Sequence, residues 1–262
     1  MPIRCAPLDD AAAGELAGWL AHEPYRDAMP LSNVTTLRHA CRVVVAWRGD
    51  RLLGMASSYD ELPVPNLTFA TRDDQALAPL LAALFRQRPG LAGGPIWTLL
   101  PAERHAALCR QLRLVAGEAE HQMTITPARL AAHGATVAQP LDQRHAGALQ
   151  RLADAAALTG WHERALTYGP CVGHIVDDAV VAMAATRFQT AVASEIGHVA
   201  THPDFRRRGR GADCTIAVTR AAMRPGHHPY LMCRAGNPAL ALYRRLGFTT
   251  LDTFQLARFA VH

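Results

Sequence analysis

Apolar residues in this chain fall into short runs separated by turn clusters, and their period switches repeatedly between two and about 3.6. Residues 3–8 predict a short strand, and Asp9 or Asp10 is placed to cap a helix over 11–21. Residues 42–47, built on Val43-Val44-Val45, predict a strand that a Gly49-Asp50 turn returns as a second strand over 52–57. A further strand is expected over 66–70. Leu77, Leu80, Leu81 and Leu84 recur at helical spacing within 75–85. After Gly93-Gly94-Pro95, a strand over 96–100 and a helix over 102–112 follow, and 115–126 is strand in part.

The order then repeats. A short helix over 128–133, ended by Gly134, sits in a connection over 127–135. Beyond it come a strand over 136–140, a helix over 143–157 capped by Asp142, and a hairpin of 171–176 and 180–187 turning at Asp177-Asp178. A strand over 195–201, a helix over 213–223, a strand over 230–234, a helix over 238–246 ended by Gly247, and a strand over 250–259 complete the chain. Phe69-Ala70-Thr71 echoes Val199-Ala200-Thr201, and Leu108-Cys109-Arg110-Gln111-Leu112 echoes Leu242-Tyr243-Arg244-Arg245-Leu246. The expectation is two α/β (α+β) domains of similar design, 1–126 and 136–262, each a mixed, mostly antiparallel twisted sheet flanked by helices.

Charge separates the halves. Residues 1–130 hold 13 Arg against 13 acids, whereas residues 131–262 hold 14 Arg against 9 acids, so the net charge of +5 lies in the second half. Arg206, Arg207, Arg208 and Arg210 nearly account for it. A local anion site fits this better than a nucleic-acid-binding surface, which would spread basic charge more widely. The six cysteines are scattered with no C-x-x-C pair, which argues against a zinc site or disulfide framework and suits a reducing cytoplasm. With no apolar run of membrane-spanning length and no apolar leader at the start, the expectation is a cytoplasmic protein without a membrane partner.

The arginines sit in Arg206-Arg207-Arg208-Gly209-Arg210-Gly211-Ala212, between a predicted strand and a predicted helix. Amides at a helix start point outward unsatisfied, and the helix dipole favours an anion there. Glycines let the backbone curl into a nest, and arginine donates in bidentate fashion. The turn therefore reads as a phosphate seat, with an ordinary solvated turn as the alternative.

Residues 136–259 resemble the GNAT superfamily of acyl-CoA-dependent N-acetyltransferases. The resemblance rests on the R/Q-x-x-G-x-G/A turn, here Arg206 to Gly211, and on Asn237 followed by Leu242-Tyr243-Arg244-Arg245-Leu246-Gly247-Phe248. It implies that the turn, through Arg206, Arg207, Arg208, Gly209, Arg210, Gly211 and Ala212, holds the pyrophosphate of coenzyme A. It also implies that main-chain groups of Val199 and Thr201 hold the pantetheine arm and thioester. Tyr243 would be the general acid toward the leaving thiolate, with a packed core tyrosine as the plain alternative. The interval from Asn237 to Tyr243 is one position shorter than usual in the family, which bears on the role of Asn237. Glu195 stands 11 positions before Arg206, as a general-base glutamate does in the histone-acetyltransferase branch. It reads equally as an arginine partner, and His198 is the runner-up base.

The implied activity is transfer of an acetyl group from acetyl-CoA to a primary amine of a small molecule or protein, by direct attack in a ternary complex. The alternative is a non-catalytic acyl-CoA sensor or interaction protein. No metal is implied, and homodimerisation stays open. Thr159-Gly160-Trp161-His162-Glu163 lies where acceptor contacts are expected. The first half has no such turn: Arg72-Asp73-Asp74-Gln75 puts acids where phosphate would sit, and Cys109 stands where the tyrosine would. It reads as a degenerate copy without cofactor.

Overall fold

The computed structural model describes residues 1–62, 64–158 and 160–261. The chain divides into two compact units, one of Met1–His121 with Asp252–His262 and one of Gln122–Leu251. Each carries a mixed, mostly antiparallel sheet with helices packed against it.

The first unit opens on β1 (Ile3–Pro7). α1 (Asp10–Leu20) follows at once because the Asp9 carboxylate accepts the Ala12 amide at 2.8 Å and satisfies an orphan donor of the first turn. α2 (Ala28–Val34) has no counterpart among the expected elements. It is short, carries Pro30, and is buried except at the half-buried Met29, so no polar face marks a helical period. β2 (Cys41–Arg48) and β3 (Arg51–Tyr59) form the expected hairpin, with Gly49 at φ 61 in the turn. β4 (Asn66–Thr71), α3 (Leu77–Gln87), β5 (Ile96–Pro101), α4 (Ala102–Cys109) and β6 (Arg113–Thr124) then come in the expected order. β1 to β4 are antiparallel neighbours, while β4 and β5 run parallel. The leucines of α3 are buried in one core with Val44, Leu53, Phe69 and Ile96.

The second unit continues with α5 (Pro127–Ala131), capped by the Thr126 hydroxyl. β7 (Gln139–Pro140) is shorter than the strand expected over 136–140. The reason is chemical: the Asp213 carboxylate accepts the amides of Val137 and Ala138, which a ladder would otherwise use. α6 (Ala146–Ala155) follows a 3-10 turn capped by Asp142. β8 (Cys171–Val176) and β9 (Ala179–Gln189) turn through Asp177 and Asp178, both left-handed at φ 48 and 61 as a tight hairpin requires. β10 (Ala193–Thr201), α7 (Arg210–Ala222), β11 (His228–Arg234) and α8 (Ala239–Arg245) complete the unit. β10 is antiparallel to β9 and parallel to β11. One core cluster joins Ile196, Val218, Leu231 and Phe248, and another joins Leu149, Leu152, Met183 and Ala185.

β12 (Thr249–Ala260) is the last strand. It pairs antiparallel with β5, Phe259 opposite Ile96, and its Ala257 and Phe259 are buried in the first unit's core. Residues Asp252–His262 thus fold with Met1–His121, so the compact units differ from a division at 127–135. Which strand a terminal segment joins is a long-range choice that alternation of side chains does not specify. Among the described residues no helix is long and apolar enough to cross a membrane.

Candidate functional site

β10 carries two irregularities. Its register with β9 passes from Gly197 opposite Ala185 to Ala200 opposite Met183, so His198 and Val199 together face one residue. This is a β-bulge, with His198 in the left-handed region at φ 49. On its other edge β10 pairs with β11 only from Ala193 opposite His228 to Ile196 opposite Leu231. Past Ile196 the two parallel strands part. Backbone polar groups of residues 197–201 have no ladder partner in β11 there.

β10 runs on through a short 3-10 turn to the Gly-rich turn. α7 begins inside the motif, with Gly209 as its N-cap at φ 75 and no side chain capping it. The amides of Arg210, Gly211 and Ala212 are the orphan donors of this helix start. Arg207 is also left-handed at φ 62, so the backbone curls into a nest. A Cβ on Gly211 would meet Thr201 Oγ1 at 3.2 Å, so the close approach of strand end and helix start favours glycine. Arg206 donates from Nε to the Thr201 carbonyl at 3.1 Å. Arg208 and Arg210 hold their guanidiniums 5.7 and 5.3 Å from the Phe205 ring centre. Among the described residues none of these four arginines forms an ion pair with a carboxylate, whereas Arg144 and Arg187 do. A dianionic group would find here what the residues do not supply one another.

Tyr243, on α8, is buried and shares a core cluster with Ile196, against which Val199 and Ala212 also pack. Its ring meets Phe248 edge-on, centroids 6.1 Å apart. Burial, and then the nearby Cys233, push the phenol well above the usual tyrosine range, so it holds its proton throughout neutral pH. Asn237 is exposed, and its Oδ1 accepts the Ala239 amide at 2.9 Å. This closes a local turn just before α8, whose N-cap is Pro238.

The structure separates the two candidate bases. Glu195 is 2% exposed, accepting from Arg187 at 3.0 Å on Oε1 and from the Tyr230 hydroxyl at 3.2 Å on Oε2. Neither partner is evident from sequence. Arg187 is the extra residue of a second irregularity, between Phe188 opposite Glu195 and Thr186 opposite Ile196, and its stem lies where a Cβ on Gly197 would be. His198 is buried against the edge of Trp161 at 5.2 Å. Burial first, then the charges of Arg187 and His162, lower its pKa to about 3, which makes it a poor proton acceptor. Trp161 therefore meets a candidate site residue, while Thr159 lies outside the described residues.

In the first unit β4 and β5 likewise pair only at Asn66 opposite Trp97 and Leu67 opposite Thr98. Here an arginine reaches toward the parting strand. Arg104 of α4, 9% exposed in its side chain, donates to the Phe69 carbonyl at 3.4 Å and meets the buried Asp27 carboxylate at 2.5 Å. That approach is not aligned as a hydrogen bond, and burial outweighs the Arg104 charge, so the Asp27 pKa is raised. Cys109 is exposed, 3.5 Å from the His105 ring nitrogen.

The family model described as FR47-like protein matches residues 172–256. No curated protein matches. Among solved structures, a Drosophila protein aligns over 98% of both chains at TM-score 0.73 and 14% identity. A tandem GNAT protein from the clavulanic acid biosynthesis pathway aligns over 98% of both chains at TM-score 0.66 and 14% identity. A GCN5-related N-acetyltransferase from Kribbella flavida covers 94% of this chain and 95% of its own, at TM-score 0.63 and 18% identity. The chain therefore has the tandem GNAT fold, and at these identities the likeness is one of fold.

Proposed function

We propose that the second unit transfers an acetyl group from acetyl-CoA to a primary amine of a small molecule or protein, by direct attack in a ternary complex. The observation that carries this is the uncapped start of α7 with its four arginines, reached from a β10 that loses its β11 partner past Ile196. The group fits the residues present: orphan amides, a glycine cradle beside Thr201, and guanidiniums without carboxylate partners suit a pyrophosphate. Acetyl-CoA supplies the acyl group already activated as a thioester.

The chain's own residues would do the rest. The amides of Gly209 to Ala212, with Arg206, Arg207, Arg208 and Arg210, bind the phosphates. Main-chain groups of Val199 and Thr201 orient the arm and polarise the thioester carbonyl. Forming the N–C bond while the C–S bond breaks needs one proton off the amine and one onto sulfur. Tyr243 holds a proton at Oη and would deliver the second. For the first, Glu195 is the stronger candidate, working through water; His198, with its depressed pKa, lines the site. Asn237 shapes the turn that leads into α8, which carries Tyr243.

Tyr243→Phe tests the assignment. It should lower kcat with a panel of primary amines by about 10²–10³ while the KM for acetyl-CoA changes little. Unchanged kcat overturns the acid role. If the wild type binds acetyl-CoA but releases no CoA with any amine, the site is a sensor and not an enzyme.

A further inference from the structure

The arginines of the Gly-rich turn are held in different ways. Arg206 is fixed by the end of β10, through its Nε–H to the Thr201 carbonyl at 3.1 Å. Arg208 and Arg210 share a ring instead, with their guanidinium carbons 5.7 and 5.3 Å from the centre of Phe205. At both distances the negative face of an aromatic ring attracts a cation. The two arginines bracket Gly209, the N-cap of α7, and so flank in sequence the point where the orphan amides begin.

The ring is itself held. Phe205 ends the 3-10 turn Pro203–Phe205 and is half-buried. His202, just before that turn, donates its amide to the Val181 carbonyl of β9 at 2.9 Å. Its imidazole accepts the Asp204 amide at 3.4 Å and meets the Phe205 ring, with centroids 5.8 Å apart and planes at 75°. A chain of contacts thus runs from the sheet, through His202 and Phe205, to two guanidiniums. A free arginine side chain samples many rotamers, and immobilising each one on a ligand costs affinity. A ring that already holds two guanidiniums removes part of that cost before the ligand arrives. Leucine in its place would fill similar space but offer no π face.

We propose that Phe205 is a positioning residue for the pyrophosphate of acetyl-CoA, pre-ordering Arg208 and Arg210 at the start of α7. The inference rests on the cofactor reading above and extends it to a residue outside the R/Q-x-x-G-x-G/A turn.

Calorimetric titration of acetyl-CoA into the full-length protein and its variants tests it. Phe205→Leu should weaken binding about tenfold, and Phe205→Tyr, which keeps the ring face, should bind within about twofold of wild type. In a protein already carrying Arg208→Gln and Arg210→Gln, adding Phe205→Leu should change the affinity by less than about twofold, because the ring then has no guanidinium to hold. A ring that only packs would give the same loss with and without the two arginines. The proposal is overturned if Phe205→Leu binds as tightly as wild type or tighter, if Phe205→Tyr is as weak as Phe205→Leu, or if the loss persists in the double-glutamine background. Each of these results leaves the cofactor reading standing. A wild type that binds no acetyl-CoA removes that reading, and the proposal falls with it.

Discussion

His198 shows how one residue's setting decides what it can do. It occupies a left-handed bulge position, is 7% exposed, and lies against Trp161. Burial and the Arg187 charge take its pKa from 6.5 to about 3. The unfolded chain then binds a proton at His198 that the folded chain refuses. The sign follows directly: stability is unaffected above about pH 6.5 and falls as pH drops toward 3, by up to about 1.4 kcal/mol per unit. His198→Asn, a residue that tolerates left-handed backbone, should lose less stability than wild type over that window in denaturant titrations. Equal acid sensitivity of the two proteins would show that His198 titrates normally. The residue chemistry legible in the sequence was that of the glycines and arginines of the turn, because it is local. The partners of Glu195 were not legible, since Arg187 reaches it only through a register irregularity and Tyr230 from a neighbouring strand.

At the scale of elements, α7 connects the site to its surroundings. Asp213 in its first turn accepts the amides of Val137 and Ala138, at 3.1 and 2.7 Å, and meets His174 Nε2 at 2.9 Å. It thereby pins the segment before β7 and the strand β8 to the helix that carries the Gly-rich turn. Its charge also complements the helix dipole. Asp213→Ala should cost about 2–4 kcal/mol in chemical denaturation, since two backbone amides and an imidazole lose their acceptor together. A loss under about 0.5 kcal/mol would show that water replaces the carboxylate without penalty. Hydrophobic periodicity foretold this helix and most others. It missed α2, whose residues are buried except at the half-buried Met29, and the bulge and parting of β10, which depend on how neighbouring strands diverge and leave no mark in side-chain order.

At the scale of the whole molecule, two units share a design and differ at the point where a cofactor would enter. In the second, β10 past Ile196 runs on to orphan amides and to arginines that have no carboxylate partner among the described residues. In the first, Arg104 donates to the strand that parts, and acids line the mouth. The repeat of element order was visible in the sequence, as was the missing glycine turn of the first half. The return of β12 to the first unit was not, because strand pairing at such separation is decided by the packing of Ala257 and Phe259. The central claim is that coenzyme A binds once, at the turn around Gly209. Calorimetric titration of acetyl-CoA into wild type and Gly209→Glu addresses it directly, because a glutamate there is strained at φ 75 and brings a negative charge to the phosphate seat. The account predicts about one equivalent bound per chain in the wild type and an affinity at least about 100-fold weaker in the variant. Equal affinity for the two proteins, or two equivalents bound by the wild type, would contradict it.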